Sequence, residues 1–370
     1  MADQMMSRAN LQRAMQGYVR PSMFWGVTLA VSDLLQYALA VAGVLLLPDL
    51  WMKVVCSILA GLKIANLTTL GHDAAHESLT PSRAMNKFLG VIVFAPGLTN
   101  WALWVYEHHY RHHPFTNGKL KDTYTPLSKA EYDALPAWKQ ALKRFHRNPF
   151  GLGFAFYYIT ERWWQVKFFP RHDIPGRHRE SAWRHFALLC GYLVAFFALL
   201  AAAPLYSETS VFTALFLGFA VPFVIWMTLM GMTLYFQHTH INIPWFKGEI
   251  DRQALPPERL TLHLEYPKLV AQFMHHVYDH AAHHVQPAIP SYRLHDAQAA
   301  LNRLVPNQVV SEKFTLHLFL DTMRRCQLYD YENHCWLYFD GRPSGEPIQW
   351  KRNVSSEPVA APVGYASAAE

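Results

Sequence analysis

Histidines are concentrated in a few short segments of this 370-residue chain. Thirteen of the 21 histidines lie in the windows 72–76, 108–113, 238–240 and 275–284. Imidazole nitrogens bind zinc, copper, iron and nickel, so this clustering indicates a metal centre. The four cysteines lie far apart and outside these windows, which argues against both a zinc–thiolate site and a disulfide framework.

The spacing of the histidines suits ligands that share a helix face. One window holds an H-x3-H pair and two hold an H-x2-HH pattern, which together supply His72, His76, His109, His112, His113, His280, His283 and His284. Positions i, i+3 and i+4 of an α-helix lie on one face, so each set can direct its rings at a metal. Eight histidines exceed what one tetrahedral ion uses, which indicates two metals. Neutral imidazoles leave such a centre highly positive, which favours iron with O₂ over zinc.

The elements that must position these windows are long apolar segments. Hydrophobic residues make up 51% of the chain and charged residues only 16%, whereas soluble domains carry roughly 25% charged residues. A stretch of about 20 apolar residues can cross a bilayer, and this length predicts spans at 24–47, 52–70, 182–205 and 211–236. Two further segments are predicted to be re-entrant or interfacial: 87–106, which Pro96-Gly97 interrupts, and the aromatic and charged segment 150–169.

Lysine and arginine are distributed unevenly around these spans. Segment 1–20 holds three and the loop 107–179 holds thirteen, whereas the connections 48–51 and 206–210 hold none. By the positive-inside rule, the N-terminus, the long loop, the C-terminal third and all histidine windows face the cytoplasm. The net charge of +6 therefore reports orientation in a bilayer, and no nucleic-acid-binding signature accompanies it. Segment 1–20 also lacks the apolar core of a secretory signal.

These patterns predict an all-α integral membrane helical bundle of about four transmembrane helices, with a cytoplasmic helical cap that holds the metals. The predicted parts are a cytoplasmic N-terminal segment 1–23, a membrane domain 24–342 whose cap comprises 107–181 and 237–342, and a disordered tail 343–370. The tail is assigned from its content of proline, serine, alanine and glycine.

Two ionisable residues, Asp33 and Lys63, lie inside neighbouring predicted spans. At about 1.5 Å of rise per residue, both lie roughly 10–14 Å from the cytoplasmic ends of their helices. Charges inside a membrane are costly unless they are paired, so we expect Asp33 and Lys63 to form an ion pair.

Four longer motifs surround the histidines: HDAAHES at 72–78, HHYRHHPFTN at 108–117, FQHTHINIPW at 236–245 and HHVYDHAAHHVQPAIPSYRL at 275–294. In order and detail they resemble the motifs of integral-membrane fatty acid desaturases, and within that family the acyl-lipid Δ12/ω-3 type. The resemblance covers residues 65–300. One departure is Ala74-Ala75, where the family usually has glycine or cysteine before the second histidine. Because of this departure, we expect a difference from the family in substrate or in the position of the new double bond.

The resemblance implies two irons, bound by the eight histidines above and a ninth from the QHTH segment, for which His238 and His240 both qualify. It also implies a channel between the spans for an acyl chain linked to a lipid or a carrier protein. O₂ chemistry would introduce a double bond into that acyl chain. Reducing equivalents are expected from an external ferredoxin- or cytochrome b5-like donor, because the chain has no dinucleotide fingerprint and no iron–sulfur cysteine spacing. The basic segment 119–179 suits such an acidic partner or anionic lipid. The expected location is a bacterial inner membrane or, alternatively, the endoplasmic reticulum.

Further residues beside the motifs are expected to orient the ligands rather than bind metal. They are Asp73, Glu77, Glu107, His108, His275, His276 and Asp279. Two alternatives to a desaturase stay open. One is a fatty acyl hydroxylase or acetylenic-bond-forming relative of the same family, and the other is a zinc-binding membrane transporter or hydrolase. Transport is disfavoured because the histidines lie outside the spans, whereas transporter sites lie near the bilayer midplane.

Overall fold

The computed structural model describes residues 6–119, 122, 125–148, 152–171, 174–248, 257–306 and 308–349. Most of the tail predicted for 343–370 lies outside these residues. The described beginning of that tail packs onto the cap, where Ser344 is buried and its hydroxyl donates a 2.8 Å hydrogen bond to the Arg325 carbonyl.

Helices dominate the described residues. In chain order they are α1 (Arg8–Met15), α2 (Met23–Leu46), α3 (Leu50–Ala75), α4 (Arg83–Phe94), α5 (Trp101–Tyr106), α6 (Lys129–Asp133), α7 (Ala137–His146), α8 (Gly153–Tyr157), α9 (Gly176–Ala201), α10 (Val211–His238), α11 (Lys268–Phe273), α12 (His280–Val285), α13 (Ser291–Leu304) and α14 (Leu316–Arg325). Wider π-helical turns occur at Glu107–His112, Tyr158–Phe168 and Phe216–Ala220, and short helical turns at Gln16–Tyr18, His113–Phe115, Ala203–Leu205 and Pro257–Arg259.

The described part of the cap also contains two small sheets. Strands β1 (Leu262–Glu265) and β2 (Val310–Lys313) pair in parallel, with Leu262 opposite Val310. Strands β3 (Leu328–Asp330) and β4 (Cys335–Leu337) pair antiparallel, with Leu328 opposite Leu337. Because each strand has only three or four residues, the fold is all-α in class, as the sequence predicts.

Helices α2, α3, α9 and α10 are long and apolar enough to cross a membrane, and they correspond to the four predicted spans. Their facing sides share one apolar core, in which Leu67 of α3 and Trp226 of α10 are completely buried. Their outer sides expose large apolar residues, such as Leu39 at 61% and Val194 at 70%. Apolar side chains on the outside of a bundle are stable where lipid replaces water, so the four helices fit a membrane protein.

The segment predicted to be re-entrant forms two helices, α4 and α5, that are both too short to cross a bilayer. They are separated by the turn that contains Pro96-Gly97. The Asn100 side chain then caps α5 by accepting a hydrogen bond from the Leu103 amide at 3.3 Å. Because proline has no backbone N–H to donate within a helix, the chain turns back here. Helix α5 then leads into the second histidine window.

Helices α1 and α13 hold the last histidine window in place. Leu11 and Met15 of α1 are fully buried in a small apolar core with Ala281 and Val285 of α12. From α13, the Gln298 side chain accepts a 2.9 Å hydrogen bond from the Ala282 amide. Helix α12 has only six residues and would not be stable alone, so these contacts determine its position.

Asp33 and Lys63 are in contact inside the bundle. Lys63 Nζ lies 2.8 Å from Asp33 Oδ1, and both side chains are buried. The second carboxylate oxygen of Asp33 lies 2.5 Å from His275 Nε2, on the loop before α12. The carboxylate therefore joins α2, α3 and the cap, which gives the predicted pair a third member.

Candidate metal centre

Two transmembrane helices deliver histidines at their cap-side ends. His72 lies in the last turn of α3, His76 follows that helix directly, and His238 is the last residue of α10. Gly71 allows the close packing beside His72, because a Cβ atom there would lie 2.2 Å from the Phe94 ring of α4. Ala75, part of the departure from the family motif, is buried against the same Phe94. Small residues therefore bring α4 against the end of α3.

The structure gathers nine histidines into two groups, in each of which one nitrogen per ring lies within 4.8 Å of the others. The first cluster consists of His72, His76, His108, His113 and His283. The second cluster consists of His112, His238, His280 and His284. Helix α12 contributes to both clusters, and so does the turn that follows α5. The two metal positions therefore share their supporting elements.

The ring nitrogens in each cluster point at one another. In the first cluster, His283 Nε2 lies 3.1 Å from both His72 Nε2 and His113 Nε2. In the second, His280 Nε2 lies 3.2 Å from His238 Nε2 and 3.0 Å from His284 Nε2. Ligand nitrogens about 2.0–2.1 Å from a tetrahedral ion are separated by about 3.3 Å, so these spacings suit metal ligation.

His108 occupies the place that α-helical spacing predicts for His109. Residues Glu107–His112 form a π-helical turn, in which positions i and i+5 approach each other, and His108 Nε2 lies 2.9 Å from His113 Nε2. The His109 ring lies beside the cluster, 4.6 Å from the His76 ring, and its Nε2 atom is buried without a hydrogen-bond partner among the described residues. The wider π-helical turn thus places His108, and not His109, in the first cluster.

The electrostatics of the clusters suit a metal. Burial, reinforced by neighbouring imidazoles, lowers the pKa well below its usual value for His76, His108, His113, His280, His283 and His284. Neutral rings keep a lone pair available for a cation. The buried Nε2 of His76 also has no hydrogen-bond partner among the described residues. Nine imidazoles gathered around two points are thus a donor set that fits two divalent or trivalent ions.

Several groups orient the ligand rings from behind. Asp73 Oδ1 lies 3.3 Å from His72 Nδ1, and its other oxygen accepts a 2.6 Å hydrogen bond from the Ser291 amide. Asp122 Oδ1 lies 3.1 Å from His112 Nδ1. The Leu260 carbonyl lies 3.3 Å from His238 Nδ1. Partners of this kind fix the tautomer and direction of a ligating ring.

Asp122 is a residue that the sequence analysis missed. Its side chain is fully buried, and the Asn117 amide donates a 2.8 Å hydrogen bond to its second oxygen. Burial by itself would raise the pKa of this carboxyl, but His112 and the Asn117 amide lower it, so Asp122 stays ionised. In the sequence, Asp122 could have been recognised as an acidic residue within a mainly basic segment, ten positions beyond His112.

The remaining predicted site residues lie outside both histidine clusters. His240 is outside both clusters, with its Nδ1 accepting a hydrogen bond from the Asn242 amide at 3.3 Å. Glu77 pairs with Arg83 on the surface, and Glu107 pairs with Arg111. Asp279 faces His263 and His276, each at 3.2 Å.

A narrow cavity of about 50 Å³ extends from the clusters into the bundle. Its apolar and small polar walls come from α3 and α10, through Thr68, Met230 and Leu234, and its end is formed by histidines of both clusters. Lys167 also lines it, and burial together with nearby Arg162 lowers the Lys167 pKa to about 7. The lining of this cavity is of the kind that contacts an apolar chain, and it lies next to the metal positions.

Known proteins match this chain over most of its length. The sequence model of the family described as fatty acid desaturase matches residues 48–315. The sn-1 oleoyl-lipid 12-desaturase of Picosynechococcus sp. is 26% identical over 329 residues, which is 85% of this chain and 87% of that protein. The chloroplastic omega-6 fatty acid desaturase of Glycine max is 26% identical over 78% of this chain and 63% of its own length. The sn-1 acyl-lipid omega-3 desaturase (ferredoxin) of Synechocystis sp. is 24% identical over 67% of each chain.

Proposed function

Because the chain belongs to the fatty acid desaturase family, we propose that it introduces a double bond into the acyl chain of a membrane lipid, using O₂ and two histidine-bound irons. Membership confirms the resemblance predicted from the histidine motifs. The observation that carries the proposal is the meeting of nine imidazoles, in two groups, at the end of a cavity between α3 and α10.

We assign the iron ligands to the residues whose ring nitrogens meet. His72, His76, His108, His113 and His283 would hold one ion, and His112, His238, His280 and His284 the other. His109 stays a predicted ligand that competes with His108 for the first ion. His240 is the weaker of the two candidates in the QHTH segment, because it lies outside both groups.

Bound iron would supply the O₂ chemistry that removes one hydrogen from each of two adjacent methylenes. The chain's own residues prepare the site for that chemistry. Asp73 and Asp122 accept the Nδ1–H of His72 and His112, which keeps each Nε2 lone pair directed at its ion. The walls from α3 and α10 hold an acyl chain in one direction and limit water, which favours loss of two hydrogens over hydroxylation because the reacting carbons stay in place.

The substrate and the donor follow from the relatives and from charge. Relatives act on oleoyl-lipid or acyl-lipid, and one is named with ferredoxin, so we propose a lipid-linked substrate and a ferredoxin- or cytochrome b5-like donor. Helix α7 exposes Lys139 and Arg144 on the cap, where they suit an acidic donor or anionic lipid. The positive-inside rule supports a cytoplasmic active site, in a bacterial inner membrane or the endoplasmic reticulum.

The test is lipid profiling of a host of known composition with and without the chain, analysed by mass spectrometry. We expect acyl chains lighter by two hydrogens, absent with His112→Ala. A gain of one oxygen would instead identify a hydroxylase. Purified protein that contains zinc in place of iron and takes up no O₂ would contradict the proposal and favour the zinc-binding alternative.

A further inference from the structure

A third group of side chains of the types that bind metals lies on the loop before α12 and on α13. His276 Nδ1 is 3.2 Å from Asp279 Oδ2, and His295 Nδ1 is 3.7 Å from the same oxygen. The three atoms all lie within 4.8 Å of one another. None of these residues belongs to either histidine cluster, so the group is a separate set of donors.

The distances in this group suit ligation of one ion. A tetrahedral ion with bonds of about 2.0–2.1 Å separates its ligand atoms by about 3.3 Å. The 3.7 Å contact of His295 is too long for a hydrogen bond. His276 Nδ1 and Asp279 Oδ2 are both buried, and neither has a hydrogen-bond partner among the described residues. A ring nitrogen and a carboxylate oxygen thus face one point together without satisfying each other.

The surroundings hold Asp279 in this direction. His263 Nδ1 on β1 lies 3.2 Å from the other carboxylate oxygen, Oδ1, and so leaves Oδ2 turned toward His276 and His295. Asp279 stands at the start of α12, but its side chain does not cap that helix. Carboxylates that bind metal are themselves held by hydrogen bonds, which fix the oxygen that the ion needs.

The backbone beside the group is also constrained. His275 and His276 both have left-handed backbone angles, with φ of 50° and 55°, which residues other than glycine rarely adopt. The two rings consequently diverge, His275 toward Asp33 and His276 toward Asp279. Strain of this kind persists where surrounding contacts over-determine the conformation, and it is frequent at ligand sites.

We propose that His276, Asp279 and His295 bind one late first-row divalent cation of the zinc class, with water completing its coordination. Two imidazoles and one carboxylate are donors typical of zinc. His295 is 65% exposed, so the ion has a path from solvent. Asp279 directly precedes His280, so the ion would fix the start of α12, which serves both histidine clusters. The proposal is independent of the reaction that the clusters perform.

The test uses tag-free, iron-loaded protein in detergent, equilibrated with a small excess of Zn²⁺ and freed of unbound metal. Zinc and iron are measured in the same sample. We expect about one zinc per wild-type chain with unchanged iron, since one three-ligand site holds one ion. His295→Ala should lose most of this zinc and keep its iron. His317→Ala, which removes an exposed histidine of α14, should retain both and serves as the matched control.

A second measurement guards against a folding defect. Co²⁺ added to the iron-loaded protein should produce visible absorption bands of a nitrogen- and oxygen-ligated ion in wild type and in His317→Ala, but not in His295→Ala at the same melting temperature. Equal zinc in wild type and His295→Ala would overturn the proposal. Zinc gained only as iron is lost would overturn it too, because the metal would then occupy the histidine clusters.

Discussion

The two histidine clusters differ in how firmly the chain encloses and orients them. All four rings of the second cluster are buried, and Asp122, the Leu260 carbonyl and Thr116 each contact the Nδ1 atom of one of them. In the first cluster only His108 and His283 are buried, and the buried Nδ1 of His283 has no hydrogen-bond partner among the described residues.

The first cluster also borders an open cavity of about 810 Å³, lined by His76, His109 and His113. An enclosed site with fixed rings keeps its geometry when one ion is exchanged, whereas an open site can admit small molecules and lose its ion more easily. The comparison therefore indicates a preorganised second cluster and a more accessible first cluster.

The largest effect is expected where a buried ligand is removed from the second cluster. His238→Ala should lower activity by at least about 100-fold and remove about one iron per chain, because loss of a ligand costs more than loss of its supporting partner. Activity and iron content measure both effects. His240→Ala is the matched control two residues away and should retain its iron. Equal iron loss in the two variants would show that the second cluster is not built as described.

The π-helical turn can be tested by removing two neighbouring histidines one at a time, one inside the first cluster and one beside it. His108→Ala should remove most activity and about one iron, whereas His109→Ala should keep its iron and lose less than about tenfold in activity, as expected of a residue beside a ligand. Iron content and lipid products are the measurements. The opposite ranking would mean that α-helical spacing governs this window after metal is bound.

The orienting role of Asp122 predicts an intermediate effect. Asp122→Asn should weaken metal retention by about 10–100-fold, because the amide no longer fixes the tautomer of His112 as a carboxylate does. Competition with a chelator measures this retention. Glu77→Gln removes a carboxylate that is 52% exposed and pairs with Arg83, so it should behave like wild type. A comparable loss of metal retention in both variants would contradict the view that Asp122 orients a ligand of the second cluster.

The smallest effect concerns Lys167, which lines the cavity that both clusters share. Its pKa is lowered from 10.5 to about 7, so above pH 7 the unfolded chain holds a proton that the folded chain releases. The destabilisation by the buried amine is thus greatest below pH 7 and declines as pH rises toward 10.5. Lys167→Met should raise the melting temperature more at pH 6 than at pH 9. Lys139→Met, at an exposed position, should show no such difference.

The membrane fold was predictable because its signal is local. Four runs of apolar residues are visible in the composition of short windows, and α2, α3, α9 and α10 appear where these runs lie. Pro96-Gly97 likewise predicted the break between α4 and α5. Burial of apolar side chains in lipid and backbone hydrogen bonding act on each segment by itself, so neighbouring segments need not be known.

The partners of the ligands were harder to predict because they come from distant parts of the chain. Asp122 reaches His112 through a turn that the Asn117 amide stabilises, and Leu260 meets His238 from a loop outside the membrane helices. The ion pair of Asp33 and Lys63 was predictable from depth alone, but its third member, His275, was not.

The sequence by itself determined the helical membrane class, the family and the histidine windows, since hydrophobic length and motif spacing are properties of contiguous residues. Only the tertiary structure decided which histidines meet. A π-helical turn brings His108 instead of His109 toward His113, and the loop before α12 directs His276 and Asp279 away from the two clusters. Both outcomes depend on backbone geometry that packing between distant segments imposes, and residue spacing alone does not encode that geometry.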